Sequence, residues 1–388
     1  MKHYSAIDGL RAWMAWWVVC QHVFNLSGMD VLYPGPVMRL LTSGGVAVLV
    51  FIIISGFVVT HLIITGKEAY GSYIIRRAAR IYPLYIVALL AAILLRGYYF
   101  DAIVTPDWGL SQARLDRFVE QNTNFSAHLL AHLTLLHGIV PDSLLPDAAS
   151  SFLSPAWSLS LEWQFYVLAP FVVAFFAGTG RSLVAVLVGL GLVFSGFLAL
   201  VDFELWREPS FLPFVIGYFM IGVWARLGFT VFSMKSLLFV GLIISSVYWY
   251  STVLLNDFWP VAILPILIWA VCYWFISSGG TSRVGGYARR IVSVFLATPS
   301  IVNMGKWSYS TYLLHIPLFT LVLGVTKQAG IINTQHQYFA AMLLSIPVLV
   351  AVSWLSYRFI EMPFAHLSKK LLNRDDNTVF ARPVKAPK

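Results

Sequence analysis

Arg11 and His22 lie eleven positions apart in one apolar run. On a helix that spacing makes three turns plus about 20°, so both side chains leave the same face, separated by about 16 Å of rise. A guanidinium binds phosphate through its planar fork of donors. An imidazole sheltered from water is suited to general-base chemistry. The plain alternative is a snorkelling arginine and a histidine held in packing by a hydrogen bond. Glu162 sits in Trp157-Ser158-Leu159-Ser160-Leu161-Glu162. Helix rise puts it roughly 10 Å into its run, a depth similar to that of His22. This predicts a His–acid dyad in which Glu162 orients and charge-stabilises the His22 imidazole, with Ser158 four residues away on the same face. A structural bond between helices is the other way to explain the carboxylate. His315 shares a face with Tyr312 and Ser308, which predicts a polar stripe lining a pore or an acceptor site. Ionisable groups inside membrane spans are costly and are functional candidates by default; His61 is a weaker case of the same kind.

A second group is cationic. Arg76, Arg77 and Arg80 are clustered between two apolar runs, and Lys306 opens another. With Arg11 they are candidates for a phosphate-binding rim, although a basic cluster also serves to set topology. Other patterns carry less. His128 and His132 have a metal-capable spacing with no third ligand fixed nearby, so no metal is expected. His137 and Asp142 match a His-x4-Asp pattern, but so do His3 and Asp8, and neither has a companion motif. Cys20 and Cys272 lie in apolar runs and read as packing residues. Neither GxxxxGK[ST] nor HExxH occurs.

These residues are carried by a chain of 388 residues that is 59% hydrophobic and 11% charged. Soluble domains are about 45–50% apolar and about 25% charged. The composition excludes an ordinary soluble enzyme, a disordered chain and a disulfide scaffold. It predicts an all-α polytopic membrane protein with about ten transmembrane helices, at 7–27, 44–66, 81–97, 155–177, 182–201, 210–228, 236–255, 259–277, 305–326 and 337–360. The first lacks a small-residue cleavage site and holds His22, so it is expected to be a retained span. With both termini cytoplasmic, most of the 26 Lys and Arg fall on the inside and most of the 17 Asp and Glu on the outside, the positive-inside pattern. The net charge of +9 thus reflects topology and not a nucleic-acid partner. Residues 98–154 form the one long connection, outside, with an interfacial or re-entrant helix expected over 128–139. Residues 1–366 read as one membrane domain and 367–388 as a basic, disordered cytoplasmic tail.

The chain resembles the integral-membrane acyltransferase family 3, bacterial O-acyltransferases of surface glycans and related acceptors. The likeness runs over about 5–363 and rests on motifs in order. Ile7-Asp8-Gly9-Leu10-Arg11, ten residues, then His22 resembles the Arg-x10-His signature. Gly44-Gly45-Val46 with Ser55-Gly56-Phe57 resembles the second-span motif, and Arg76 to Tyr85 the inner basic loop. Trp157 to Glu162, Ser308 to Pro317, and Glu361-Met362-Pro363 complete the set. Val50-Phe51-Ile52-Ile53 departs from the paired Phe often found there, a packing difference. The esterase-like C-terminal domain of some members is not expected.

The resemblance implies an acyl-CoA donor, commonly acetyl-CoA, with no permanently bound cofactor. It implies a glycan or lipid-linked saccharide acceptor, and a multi-pass location in the bacterial inner membrane. In that scheme Arg11, Arg76, Arg77, Arg80 and Lys306 bind the donor, and His22 with Glu162 activates the acceptor hydroxyl. Ser158, Ser308, Tyr312 and His315 line the acceptor path. Acylation of a small secreted metabolite such as a macrolide is the alternative acceptor chemistry. A glycan or lipid-linked sugar transporter is the non-enzymatic alternative, since it too needs polar residues at mid-membrane.

Overall fold

An apolar run in a bilayer must satisfy its own backbone, and a helix does so. The computed structural model describes residues 5–66, 68–108, 111–177, 206, 208–228, 243–244, 247, 259–277 and 283–372. Its described residues form helices and turns, with no strand among them. In chain order the helices used below are α1 (Ser5–Ser27), α2 (Gly44–Thr65), α3 (Tyr70–Leu94), α4 (Ser111–Thr123), α5 (Phe125–Leu133), α6 (Trp157–Ala177) and α7 (Leu212–Leu227). They continue with α8 (Trp259–Ser277), α9 (Arg283–Leu296), α10 (Pro299–Lys306), α11 (Ser308–Gln328), α12 (Gln335–Ser356) and α13 (Met362–Leu372). Five helical stretches among the described residues are long and apolar enough to cross a membrane: Pro36–Thr65, Tyr70–Leu94, Ser154–Ala177, Ser308–Gln328 and Gln335–Leu372. Leu212–Leu227 and Ala262–Ser277 are shorter apolar helices. Of the expected spans, 182–201 lies outside the described residues and 236–255 does so almost wholly.

α1 is the hub. It packs against α2, α10, α11 and α12, which places both Arg11 and His22 inside the bundle. α2 and α7 pack closely along their length. A Cβ on Gly56 would fall on the Phe219 carbonyl oxygen, and one on Gly222 on the Ile53 carbonyl oxygen. Small residues let membrane helices approach where larger ones hold them apart. The Ser55-Gly56-Phe57 motif therefore has a division of labour. Gly56 permits the crossing, Phe57 packs on Trp269 at 5.4 Å between ring centroids, and Ser55 is left to face inward.

Three expectations are corrected. The third span begins at Tyr70 and not at 81, so Arg76, Arg77 and Arg80 ride on α3 itself; their long stems lie along the bundle while the charged heads reach polar space. The helix expected over 128–139 ends at Leu133. Leu135 turns left-handed at φ 57, and the Thr134 hydroxyl donates back to the Leu130 carbonyl at 3.1 Å. Residues 367–372 of the expected tail are helical, since α13 runs to Leu372; residues 373–388 lie outside the described residues.

Candidate active site

Residues of α1, α2, α3, α6, α11 and α13 enclose a cavity of about 690 Å³. Arg11, Arg76, Arg77 and Arg80 all line it, from α1 and α3. Arg76 and Arg80 are four residues apart on α3 and so present one face. Arg76 is paired with Glu68 at 3.1 Å. Arg77 lies over the Tyr73 and Tyr166 rings, 5.9 and 5.6 Å from their centroids. Arg11 and Arg80 are within electrostatic reach of each other, of Glu162 and of Glu361. Lys306 does not belong to this wall. It is exposed and donates to Asn303 within α10. The cation that lines the chamber in its place is Lys369 of α13.

Glu162 also lines the chamber, but not beside His22. Its Oε1 accepts the Tyr166 hydroxyl at 2.5 Å and the Ser55 hydroxyl at 3.2 Å. The expected His22–Glu162 dyad is therefore not formed. Helix rise gave the depth of the carboxylate and not its direction around the axis, and the α6 face that bears Glu162 turns toward α2. Tyr166 was findable, since it is one turn beyond Glu162 on the same face. Glu361 was visible only as part of a motif. A π-helical turn over Tyr357–Glu361 brings it inward, where it accepts the Ser310 hydroxyl.

Ser158, Ser308 and Tyr312 form the chamber's far polar surface. The Tyr312 and Ser158 hydroxyls are 2.8 Å apart, and both reach the Pro155 carbonyl, at 2.8 and 3.2 Å. Two hydroxyl protons serve three contacts, so this triangle can redistribute its bonds at little cost. The Phe51 ring meets Tyr312 edge-on at 6.0 Å. The Ser308 hydroxyl is buried with no hydrogen-bond partner. Beyond Tyr312, at 6.3 Å between rings, lies His315. His315 packs on His22 with ring centroids 4.9 Å apart and planes tilted by 42°. Neither histidine lines the chamber, and the Tyr312–Ser158 pair stands between them and it.

The connection 98–154 closes over the other end of α1. Trp108 donates to the Leu26 carbonyl at 3.2 Å, and Arg114, buried in α4, donates to the Asn25 carbonyl at 2.8 Å. Arg114 and Arg117 are within electrostatic reach of His22, and Arg117 faces Asp147 at 3.9 Å. Below them, His132 and His137 stack at 4.0 Å with planes 4° apart. His132 meets the Tyr85 hydroxyl at 3.0 Å and the Ala148 carbonyl at 3.1 Å, and His137 meets the Ala156 carbonyl at 3.0 Å. Burial holds the His137 imidazole down at about 4, and burial with His137 alongside holds His132 well below its usual value. Both nitrogens of His132 are engaged, so its spacing from His128 creates no open ligand pair.

The acyltransferase domain family matches residues 4–358 of the chain. A Staphylococcus aureus (strain COL) protein, provisionally named an O-acetyltransferase, is 25% identical over 414 residues, covering 96% of this chain and 59% of that protein. Peptidoglycan O-acetyltransferase OatA of Listeria monocytogenes is 25% identical over 385 residues, covering 93% of this chain and 56% of its own length. Acyltransferase MdmB of Streptomyces mycarofaciens is 25% identical over 343 residues, with 80% and 77% covered. The chain thus spans under two thirds of the length of the first two relatives. No solved structure matches it.

Proposed function

The chain belongs to the acyltransferase domain family, and on that premise we propose that it moves an acyl group, acetyl in the simplest case, from acyl-CoA to a hydroxyl of a cell-surface or exported glycan. The observation that carries this is the alignment of the chamber with the histidines. Four arginines line a chamber of about 690 Å³, and its far surface at Tyr312 is one side chain away from the His315–His22 pair. CoA is an anion with a long thin arm. Its phosphates suit Arg11, Arg76, Arg77, Arg80 and Lys369, which offer charge-assisted and bidentate bonds. Its arm suits the about 16 Å that separate Arg11 from His22 along α1.

In this reading His22 is the general base. The acceptor O–H proton passes to an imidazole nitrogen as the oxygen attacks the thioester carbonyl carbon. The C–S bond then breaks, and the CoA sulfur leaves with the proton that His22 returns. Tyr312 and Ser158 are the hydroxyl donors nearest to where the carbonyl oxygen would lie once their mutual bond opens. Glu162 holds Ser55 and Tyr166 in place and offsets the arginine charge. The acceptor approaches from the side closed by Arg114, Arg117 and Trp108. The glycan acceptor is favoured by the peptidoglycan O-acetyltransferase among the relatives, and a small secreted metabolite is the competing acceptor. Purified protein given labelled acetyl-CoA and either a glycan or a macrolide acceptor tests this. Transfer to the glycan is expected, with Arg11→Ala raising the donor KM by about tenfold or more, the scale of one lost hydrogen bond to a charged group. Transfer to neither acceptor, or an Arg11→Ala protein with an unchanged donor KM, contradicts it.

A further inference from the structure

His315 is fully buried, and its ring meets no side-chain hydrogen-bond partner, only the backbone of Thr311 and Tyr312 on its own helix at poor geometry. A buried polar group left unmatched costs about 1–3 kcal/mol, so a membrane bundle has a standing reason to replace it. Its surroundings are aromatic. His22 lies at 4.9 Å, Tyr312 at 6.3 Å and Phe319 edge-on at 6.1 Å. The carboxylate that would ordinarily steady a catalytic imidazole is elsewhere, since Glu162 is taken up by Ser55 and Tyr166. The charged or titratable groups facing the pair are Arg114 and Arg117 from α4, Tyr312 one turn away on α11, and Asp30, which lies near Arg114.

Resting on His22 as the base, we infer that His315 is its positioning partner, and that the two imidazoles work as one titrating unit that must be wholly neutral for transfer. The rings are close enough in a water-poor site for a charge on one to oppose a charge on the other. Proton abstraction creates an imidazolium at His22. A neutral His315 can accommodate it, through the one ring nitrogen that carries no proton. A protonated His315 opposes it, and the two arginines add to that opposition. Two interacting sites titrate as a pair with two macroscopic steps, and both protons must leave before turnover begins.

The test is the acid limb of log kcat/KM against pH, with acetyl-CoA saturating and the glycan acceptor varied. The full-length wild-type protein in detergent is expected to rise with a slope of one through the pair's upper step and to steepen toward two only below its lower step. His315→Phe keeps a ring of similar shape and removes both nitrogens, and His315→Gln keeps polarity without an imidazole. Each is expected to leave a limb of slope one that does not steepen, and to lower turnover by less than the about 10²–10⁴-fold expected for losing the base itself. A residue that merely fills space would lower the amplitude and leave the slope alone. A wild-type limb that never steepens below its first step overturns the inference without any variant, and so does an unchanged steepening in either variant. His22→Ala separates this from the parent reading. An active His22→Ala protein overturns the base assignment, whereas an inactive one beside a wild-type limb that never steepens overturns only the role of His315.

Discussion

Glu162 sits among arginines, and that decides what removing its charge does. Glu162→Gln retains an oxygen to accept from Ser55 and Tyr166, but it leaves the field of Arg11 and Arg80 less opposed. The donor KM is therefore expected to fall, by no more than about tenfold, on the scale of about 1 kcal/mol for a water-screened charge. The acid limb of the pH–rate profile should stay where it is, because Glu162 does not touch His22. A shifted acid limb with an unchanged donor KM would restore Glu162 as the partner of His22. Periodicity alone placed Arg11 and His22 on one face of α1, because both belong to one helix and 3.6 residues per turn relates them. It did not pair His22 with His315, or separate it from Glu162, because helix rise carries no information about which faces of two helices meet. Lys306 and Lys369 show the same limit. Both are lysines near the ends of apolar runs, and only the packing of α13 decides which one reaches the chamber.

At the scale of elements, hydropathy located the apolar helices and missed where amphipathic ones begin. α3 starts eleven residues before its apolar stretch, since a helix continues while its basic residues find polar space. The cap over 98–154 was legible as a long connection with a helix expected over 128–139, of which α5 supplies the part up to Leu133. Its stacked histidines make its stability depend on pH, and the sign follows from burial. An unfolded histidine takes up a proton near about 6.5, whereas folded His137 resists until about 4. Between those values unfolding takes up a proton, so stability is full above about 6.5 and is lost as pH falls toward about 4. Hydrogen exchange over residues 125–153 should show protection declining through that window in the wild type and less steeply in His137→Gln. Protection that is flat between pH 7 and 4 would contradict the neutral, buried stack.

For the molecule as a whole, the central claim is directional. The donor enters at the face bearing Arg76, Arg77, Arg80 and Lys369, and the acceptor approaches the opposite end of α1, where Arg114 and Trp108 cover it. His22 lies between the two, behind Tyr312 and Ser158. On the positive-inside expectation, the arginine face is proposed to be cytoplasmic. In the proposed function, such a septum would let an acyl group cross while CoA stays on its own side. The most direct measurement uses proteoliposomes in which the protein has one orientation, verified by protease access to residues 98–154. Labelled acetyl-CoA is supplied only to the arginine face, and the glycan acceptor only to the other. The account predicts labelled glycan with the wild-type protein and none with His22→Ala, while His22→Ala still binds acetyl-CoA. Labelled glycan at the wild-type rate from His22→Ala, or product formed only when donor and acceptor share a face, would contradict it.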